Sequence, residues 1–270
     1  METAHRNNVR VLGRGPRTIV FSHGFGCDQD VWRLLAPDFE ARFKVVLFDL
    51  VGGGRSDISL YDREKYSTLE GYATDLLEIV DEFSSEPVIF VGHSVSAMIG
   101  AIAHIKAPDR FAAHIMIAPS PCYINDGDYI GGFTRADIGS LLDALEDNYL
   151  GWASSMAPVI MGAPQQSRLS VELTQSFCRV NPDIAKHFAR VTFLSDTRAE
   201  LSRLTVPTLI VQSSNDAIAP QAVGEYLHRQ LRHSILRVIE NVGHCPHLSA
   251  PKACAEAMDE FLATVQDQVV

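Results

Sequence analysis

Excess positive charge, long apolar runs and an even set of cysteines are missing from this sequence, and each shortage removes a class of function. Lysine and arginine number 23 against 33 acidic residues, a formal charge of −10 over 270 residues. A surface that tracks phosphates needs a basic stripe. The sequence has none, so neither nucleic acid nor an acidic membrane surface is an expected partner. No segment is apolar enough to span a bilayer, and Met1 to Asn7 contains no run of signal-peptide length. The five cysteines, Cys27, Cys122, Cys178, Cys245 and Cys254, are odd in number and scattered. That pattern suits a reducing compartment better than a disulfide framework, and a cytoplasmic setting is expected. The remaining composition is that of a soluble globular chain, long enough for one large domain or one domain with an insertion.

What is present is a buried-strand pattern, Val88 to Val91, that passes through Gly92-His93-Ser94 into the small-residue helix pattern Val95 to Gly100. A turn this sharp holds its apex residue in a strained backbone conformation with the hydroxyl pushed out at the sheet end, as in a nucleophile elbow. The usual G-x-S-x-G spelling is broken at its last position by Ser96. A small side chain is required there, and serine is small. Taken alone, the segment also suits an ordinary strand-to-helix turn with Ser94 as helix N-cap.

Two downstream loops supply partners. The strand pattern Val206 to Gln212 leads into Ser213-Ser214-Asn215-Asp216, and the strand pattern Ile235 to Ile239 leads into a loop containing Gly243-His244-Cys245-Pro246-His247. A serine hydroxyl becomes a nucleophile when a neutral imidazole takes its proton, and that imidazole needs an anion to fix its tautomer. Ser94, Asp216 and His244 are therefore the candidate catalytic residues, in the chain order of α/β-hydrolases. Singly, Asp216 would be read as a turn residue. His244 and His247 also have a His-x-x-His spacing. Pro246 interrupts a helix there and no carboxylate or cysteine cluster has zinc-like spacing, so no metal is expected. Cys245 reads as a small semi-buried residue, and His93 as a pocket-wall or packing residue.

Near the start, the strand pattern Arg17 to Ser22 ends in His23-Gly24-Phe25-Gly26. Glycines after a strand let backbone N–H groups turn inward toward an oxyanion. The expected donors are the amides of Phe25 and Val95. After a further strand, Lys44 to Asp49, the loop Gly52-Gly53-Gly54-Arg55-Ser56 matches no nucleotide-binding spacing. It reads as a structural turn tied through Asp49 and Arg55, and no cofactor is expected.

Strand patterns alternate with helical ones to about residue 120, which predicts an α/β fold with a mostly parallel central sheet flanked by helices. From 121 to 204 helical periodicity takes over, notably at 137–149, 171–177 and 182–193. The predicted organisation is a core of residues 1–120 and 205–270 with a helical lid at 121–204. Phe25 from the core and Phe133, Trp152, Met156, Phe177 and Phe193 from the lid are the candidate walls of an apolar substrate pocket. Dehalogenase or epoxide-hydrolase chemistry is disfavoured, because it needs a carboxylate where Ser94 stands.

The segments Ser22-His23-Gly24-Phe25-Gly26, Gly92-His93-Ser94-Val95-Ser96-Ala97-Met98, Pro119-Ser120-Pro121 and Gly243-His244-Cys245-Pro246-His247-Leu248-Ser249 resemble the small α/β-hydrolases that include plant strigolactone and karrikin receptors and the bacterial stress-response hydrolase RsbQ. The resemblance covers nearly the whole chain. It implies an α/β-hydrolase fold with a four-helix lid inserted between strands, the triad Ser94, Asp216 and His244, and Phe25 and Val95 as oxyanion donors. It further implies slow hydrolysis of small apolar esters or butenolide-type lactones. In several members, the resemblance also implies, the hydrolase doubles as a signalling component that changes shape or meets a protein partner through its lid.

Overall fold

The strand Val88–His93 is buried at every position. A parallel strand covered by helices on both faces has no solvent side, so its sequence is continuously apolar rather than alternating. The computed structural model describes residues 2–266. Met1 and residues 267–270, the outer ends of the ranges read above as core, lie outside the described residues.

The strands are β1 (Arg10–Leu12), β2 (Arg17–Ser22), β3 (Phe43–Phe48), β4 (Val88–His93), β5 (Phe111–Ile117), β6 (Thr208–Asn215) and β7 (Ser234–Val242). The helices are α1 (Glu2–Arg6), α2 (Leu69–Phe83), α3 (Val95–Lys106), α4 (Arg135–Asp147), α5 (Tyr149–Met161), α6 (Arg168–Arg179), α7 (Pro182–Phe193), α8 (Gln221–Gln230), α9 (Pro246–Ser249) and α10 (Pro251–Gln266). The strands form one seven-stranded sheet in the order β1-β3-β2-β4-β5-β6-β7. β1 pairs antiparallel with β3, and the remaining pairs are parallel. This is the mostly parallel α/β sheet that the alternating pattern predicts.

Alternate residues of each strand face opposite layers. Ile19, Phe21, Ile89, Val91, Ile115 and Leu209 pack with α10 and the helices α4 to α7, whereas Val20, Phe90, Met116 and Ile210 pack with α2, α3 and α8. Register aligns the carboxyl ends of the central strands, with Ser22 opposite Gly92 and His93 opposite Ile117. In open parallel sheets the crevice at those ends is where ligands bind.

Helices α4 to α7 lie in the chain between β5 and β6. α4 opens with a capping box, Thr134 and Asp137 bonding each other's backbone amides. α5 is the helix that sequence periodicity did not separate. It carries Gly151 and an internal Pro158, and exposed Leu150 and Val159 flank its buried face, so no clean apolar stripe marks it in the sequence. Among the described residues no helix is long and apolar enough to cross a membrane.

Candidate active site

Ser94 is held at φ 56° and ψ −124° between β4 and α3, a backbone conformation that costs a non-glycine residue about 1–3 kcal/mol. The surroundings over-determine it. The Ser94 amide donates to the Ile117 carbonyl at 2.9 Å, and a Cβ at Gly92 would come within 2.7 Å of the Ala97 amide nitrogen, so only glycine lets α3 cross this close. Ser96, where the usual pattern has glycine, is fully buried. Its hydroxyl donates to the His23 carbonyl at 2.5 Å and accepts from the Ser22 hydroxyl at 2.9 Å. It thereby fastens the elbow to the end of β2.

The Ser94 side chain makes no N-cap hydrogen bond. Its Oγ lies 2.8 Å from Nε2 of His244, whose Nδ1 is 2.7 Å from Oδ2 of Asp216. Asp216 Oδ1 accepts from the amides of Ile218 and Ala219 at 2.8 and 3.1 Å. Burial alone would raise the Asp216 pKa. The attraction of the His244 ring and these hydrogen bonds outweigh it and hold the carboxyl below its ordinary value. A carboxylate so placed keeps the proton on Nδ1 and leaves Nε2 facing the serine.

The amides of Phe25 and Val95 have no hydrogen-bond acceptor among the described residues. Val95 opens α3, whose N-terminal dipole favours negative charge at this point. Gly24 has room for no side chain, since its Cβ would sit 2.7 Å from Nδ1 of His93.

A cavity of about 30 Å³ at Ser94 is lined by Phe25, Trp152, Met156, Phe177 and Phe193 from the predicted set, and by residues the sequence did not single out, among them Cys27, Tyr123, Leu173 and Ile218. Phe25 is the hub of its aromatic wall, with ring centroids 5.7 to 6.1 Å from Trp152, Phe177 and Phe193. Phe133 does not line it. Its backbone amide donates to the Tyr123 carbonyl and its own carbonyl accepts from Asn125, which fixes it in the turn preceding α4, outside the cavity lining. Tyr123 takes a nearer place, its hydroxyl 3.2 Å from Ser94 Oγ. Burial pushes that phenol up to about 12, so it keeps its proton.

His93 and His247 are fully enclosed. Burial pushes His93 down to about 3 and His247 well below its usual value, and the thiol of Cys245 well above its own. Cys245 is therefore no thiolate nucleophile at neutral pH. The His-x-x-His pair does not converge. His244 turns to Asp216 and Ser94, while His247 packs between Trp32 and His93. The glycine-rich loop closes on Asp49, whose carboxylate accepts from the amides of Gln29 and Arg55.

Similar proteins match this chain over almost their full lengths. A karrikin insensitive 2 receptor of Petunia hybrida is 44% identical over 252 residues, 93% of each chain. A strigolactone esterase of Arabidopsis thaliana is 40% identical over 256 residues, 94% of this chain and 96% of that one. Among solved structures, a hydrolase from Oleispira antarctica superposes with a TM-score of 0.94 at 41% identity, covering 98% of this chain and 96% of the other. The pattern of the alpha/beta hydrolase family matches residues 19–257, and this chain belongs to that family.

Proposed function

We propose that the protein is a serine hydrolase that cleaves a small, mostly apolar carboxylic ester or lactone. The observation that carries this reading is the continuous hydrogen-bonded path Ser94 Oγ, His244 Nε2, His244 Nδ1, Asp216 Oδ2, set in an apolar cavity. Ser94 Oγ attacks the carbonyl carbon as its proton passes to His244 Nε2. The tetrahedral oxyanion is received by the Phe25 and Val95 amides. His244 then returns the proton to the departing alkoxide, which in a lactone stays tethered to the acyl chain. Water, deprotonated by the same imidazole, releases the acid. Helices α4 to α7 act as a lid, carrying most of the aromatic wall over Ser94.

The test is mass spectrometry of the protein treated with a sulfonyl fluoride, together with turnover of p-nitrophenyl acetate. One adduct on Ser94 is expected, and Ser94→Ala should lose at least about a thousandfold in kcat. Undiminished turnover in the pure variant overturns the mechanism.

A second reading is ligand perception, with slow hydrolysis as its accompaniment and a protein partner met through the lid. Two observations favour it: the resemblance to a karrikin receptor, and a cavity of 30 Å³, room for about one water, which requires the lid side chains to move for any ligand. Under it, Ser94→Ala retains the thermal shift produced by a butenolide, and a pull-down recovers a partner only when the butenolide is present.

A further inference from the structure

His247 is 0% exposed, and neither of its ring nitrogens bonds to any described residue. Burying two polar nitrogens without partners is costly, and such groups call for an account. The ring is held between two tilted aromatic neighbours, with centroids 4.6 Å from Trp32 and 4.4 Å from His93. Beside it stands Cys245, also fully buried, with Sγ 4.0 Å from Nε2 of His93. One donor atom from each of His93, Cys245 and His247 lies within 4.8 Å of the others.

We infer that these three side chains form a binding site for a thiophilic divalent cation of the zinc type, behind Ser94 and His244, and that its occupation arrests hydrolysis. Two imidazoles and a thiolate suit zinc, cobalt(II) and cadmium far better than magnesium or calcium. Bonds of about 2.3 Å to sulfur and about 2.0–2.1 Å to nitrogen place tetrahedral donors roughly 3.5 Å apart, so the cluster needs to contract by about 1 Å. The fourth position belongs to water from the cavity, which His93 and Cys245 both line; the same cavity is the route in. Burial keeps both imidazoles neutral, and the lone pair of His93 comes to Nε2 when the ring proton moves to Nδ1. On binding, the Cys245 S–H bond breaks, an S–metal bond forms and one proton leaves to solvent, with no change of oxidation state.

The arrest follows from the connection to His244. Nε2 of His93 lies 2.9 Å from the His244 carbonyl oxygen, and the His93 and His244 rings are 5.1 Å apart. A cation that takes Nε2 of His93 requires the ring proton to move from Nε2 to the unpartnered Nδ1, which breaks the hydrogen bond to the His244 carbonyl; drawing in Cys245, the residue after His244, then displaces the loop that positions the imidazole. Cation binding is independent of the ester-hydrolase reading, whereas the arrest rests on it.

The experiment uses the whole chain, stripped with a chelator and titrated with Co²⁺, then Zn²⁺, with p-nitrophenyl acetate turnover followed in parallel. One Co²⁺ per chain should bind with a thiolate-to-cobalt charge-transfer band and release of one proton, and Zn²⁺ should displace it. Turnover should fall at least about tenfold at saturation. Cys245→Ser should abolish the band, and both it and His247→Gln should raise the half-inhibiting Zn²⁺ concentration about tenfold or more, each judged against its own metal-free rate. No band, or a band and inhibition unaltered by Cys245→Ser, overturns the site. Binding with undiminished turnover overturns the arrest. Absence of metal-free turnover in the unsubstituted protein overturns the ester reading instead, and the cobalt band still decides the site.

Discussion

At position 96 a hydroxyl does what glycine does not do at the usual elbow. Small size admits the helix, and the two hydrogen bonds to Ser22 and His23 join the strained turn to the loop that presents the Phe25 amide. Removing the oxygen leaves the buried His23 carbonyl and Ser22 hydroxyl without this partner, a loss of about 1–3 kcal/mol. Ser96→Ala should therefore lower unfolding stability by that amount in urea denaturation. It should also lower kcat for p-nitrophenyl acetate more than it raises KM, because the Phe25 amide, the proposed oxyanion donor, loses its anchor and the pocket wall does not. At this scale the sequence exposes Ser94, Asp216 and His244 clearly, since each follows a strand end and the chemistry needs one of each type. It conceals Tyr123, which sits in a loop with no periodicity and enters the site through the spatial position of β5 between β4 and β6.

Element by element, the strand ends form a working edge. β2 delivers Phe25, β4 Ser94, β5 Tyr123, β6 Asp216 and β7 His244, so one row of parallel termini supplies the whole constellation. β5 also carries an apparent misfit, His114, fully buried among Phe90, His104 and Phe111 with both ring nitrogens unbonded to described residues. Burial, reinforced by repulsion from His104, pushes its pKa down to about 3. Because the folded value lies below the unfolded one near 6.5, the unfolded chain binds the extra proton between these limits. Stability contributed by the neutral ring is complete above about pH 6.5 and is lost as pH falls toward 3, at about 1.4 kcal/mol per pH unit. His114→Leu should leave stability at pH 7 within about 1.5 kcal/mol of the parent and flatten the acid limb by one proton. Urea titrations at pH 5 and pH 7 measure both. The elements that eluded the sequence do so for physical reasons: β1 has three residues and a mostly exposed pattern, too short for alternation, and α5 has apolar residues on several sides. Phe133 is misread as a pocket wall because helical periodicity does not report that the turn preceding α4 holds it outside the cavity lining.

In the molecule as a whole, the narrowness of the cavity at Ser94 makes access the step that the aromatic wall controls. The helix α6 is tied to the core by two ion pairs at the protein surface, Arg179 with Asp28 at 2.7 Å and Arg33 with Glu172. The same helix places Phe177 over Gly26, where a Cβ would overlap the ring at 1.8 Å. Exposed pairs are each worth about 0.2–1 kcal/mol and weaken with salt. Global unfolding and a local opening of α6 each break both pairs, so the same sum enters both equilibria, but it is a larger share of the smaller free energy of local opening. If opening precedes access, each pair lost multiplies the open population by about 1.4 to 5. The double variant Arg33→Gln, Arg179→Gln should then react with a sulfonyl fluoride about twofold to 25-fold faster at Ser94, in second-order rate, while its global stability in urea falls by no more than the same sum, about 0.4–2 kcal/mol. Raising ionic strength should accelerate the parent and leave the variant largely insensitive. Equal rates in the two proteins at low salt would show instead that the aromatic side chains admit ligand by rotamer changes, with α6 held in place.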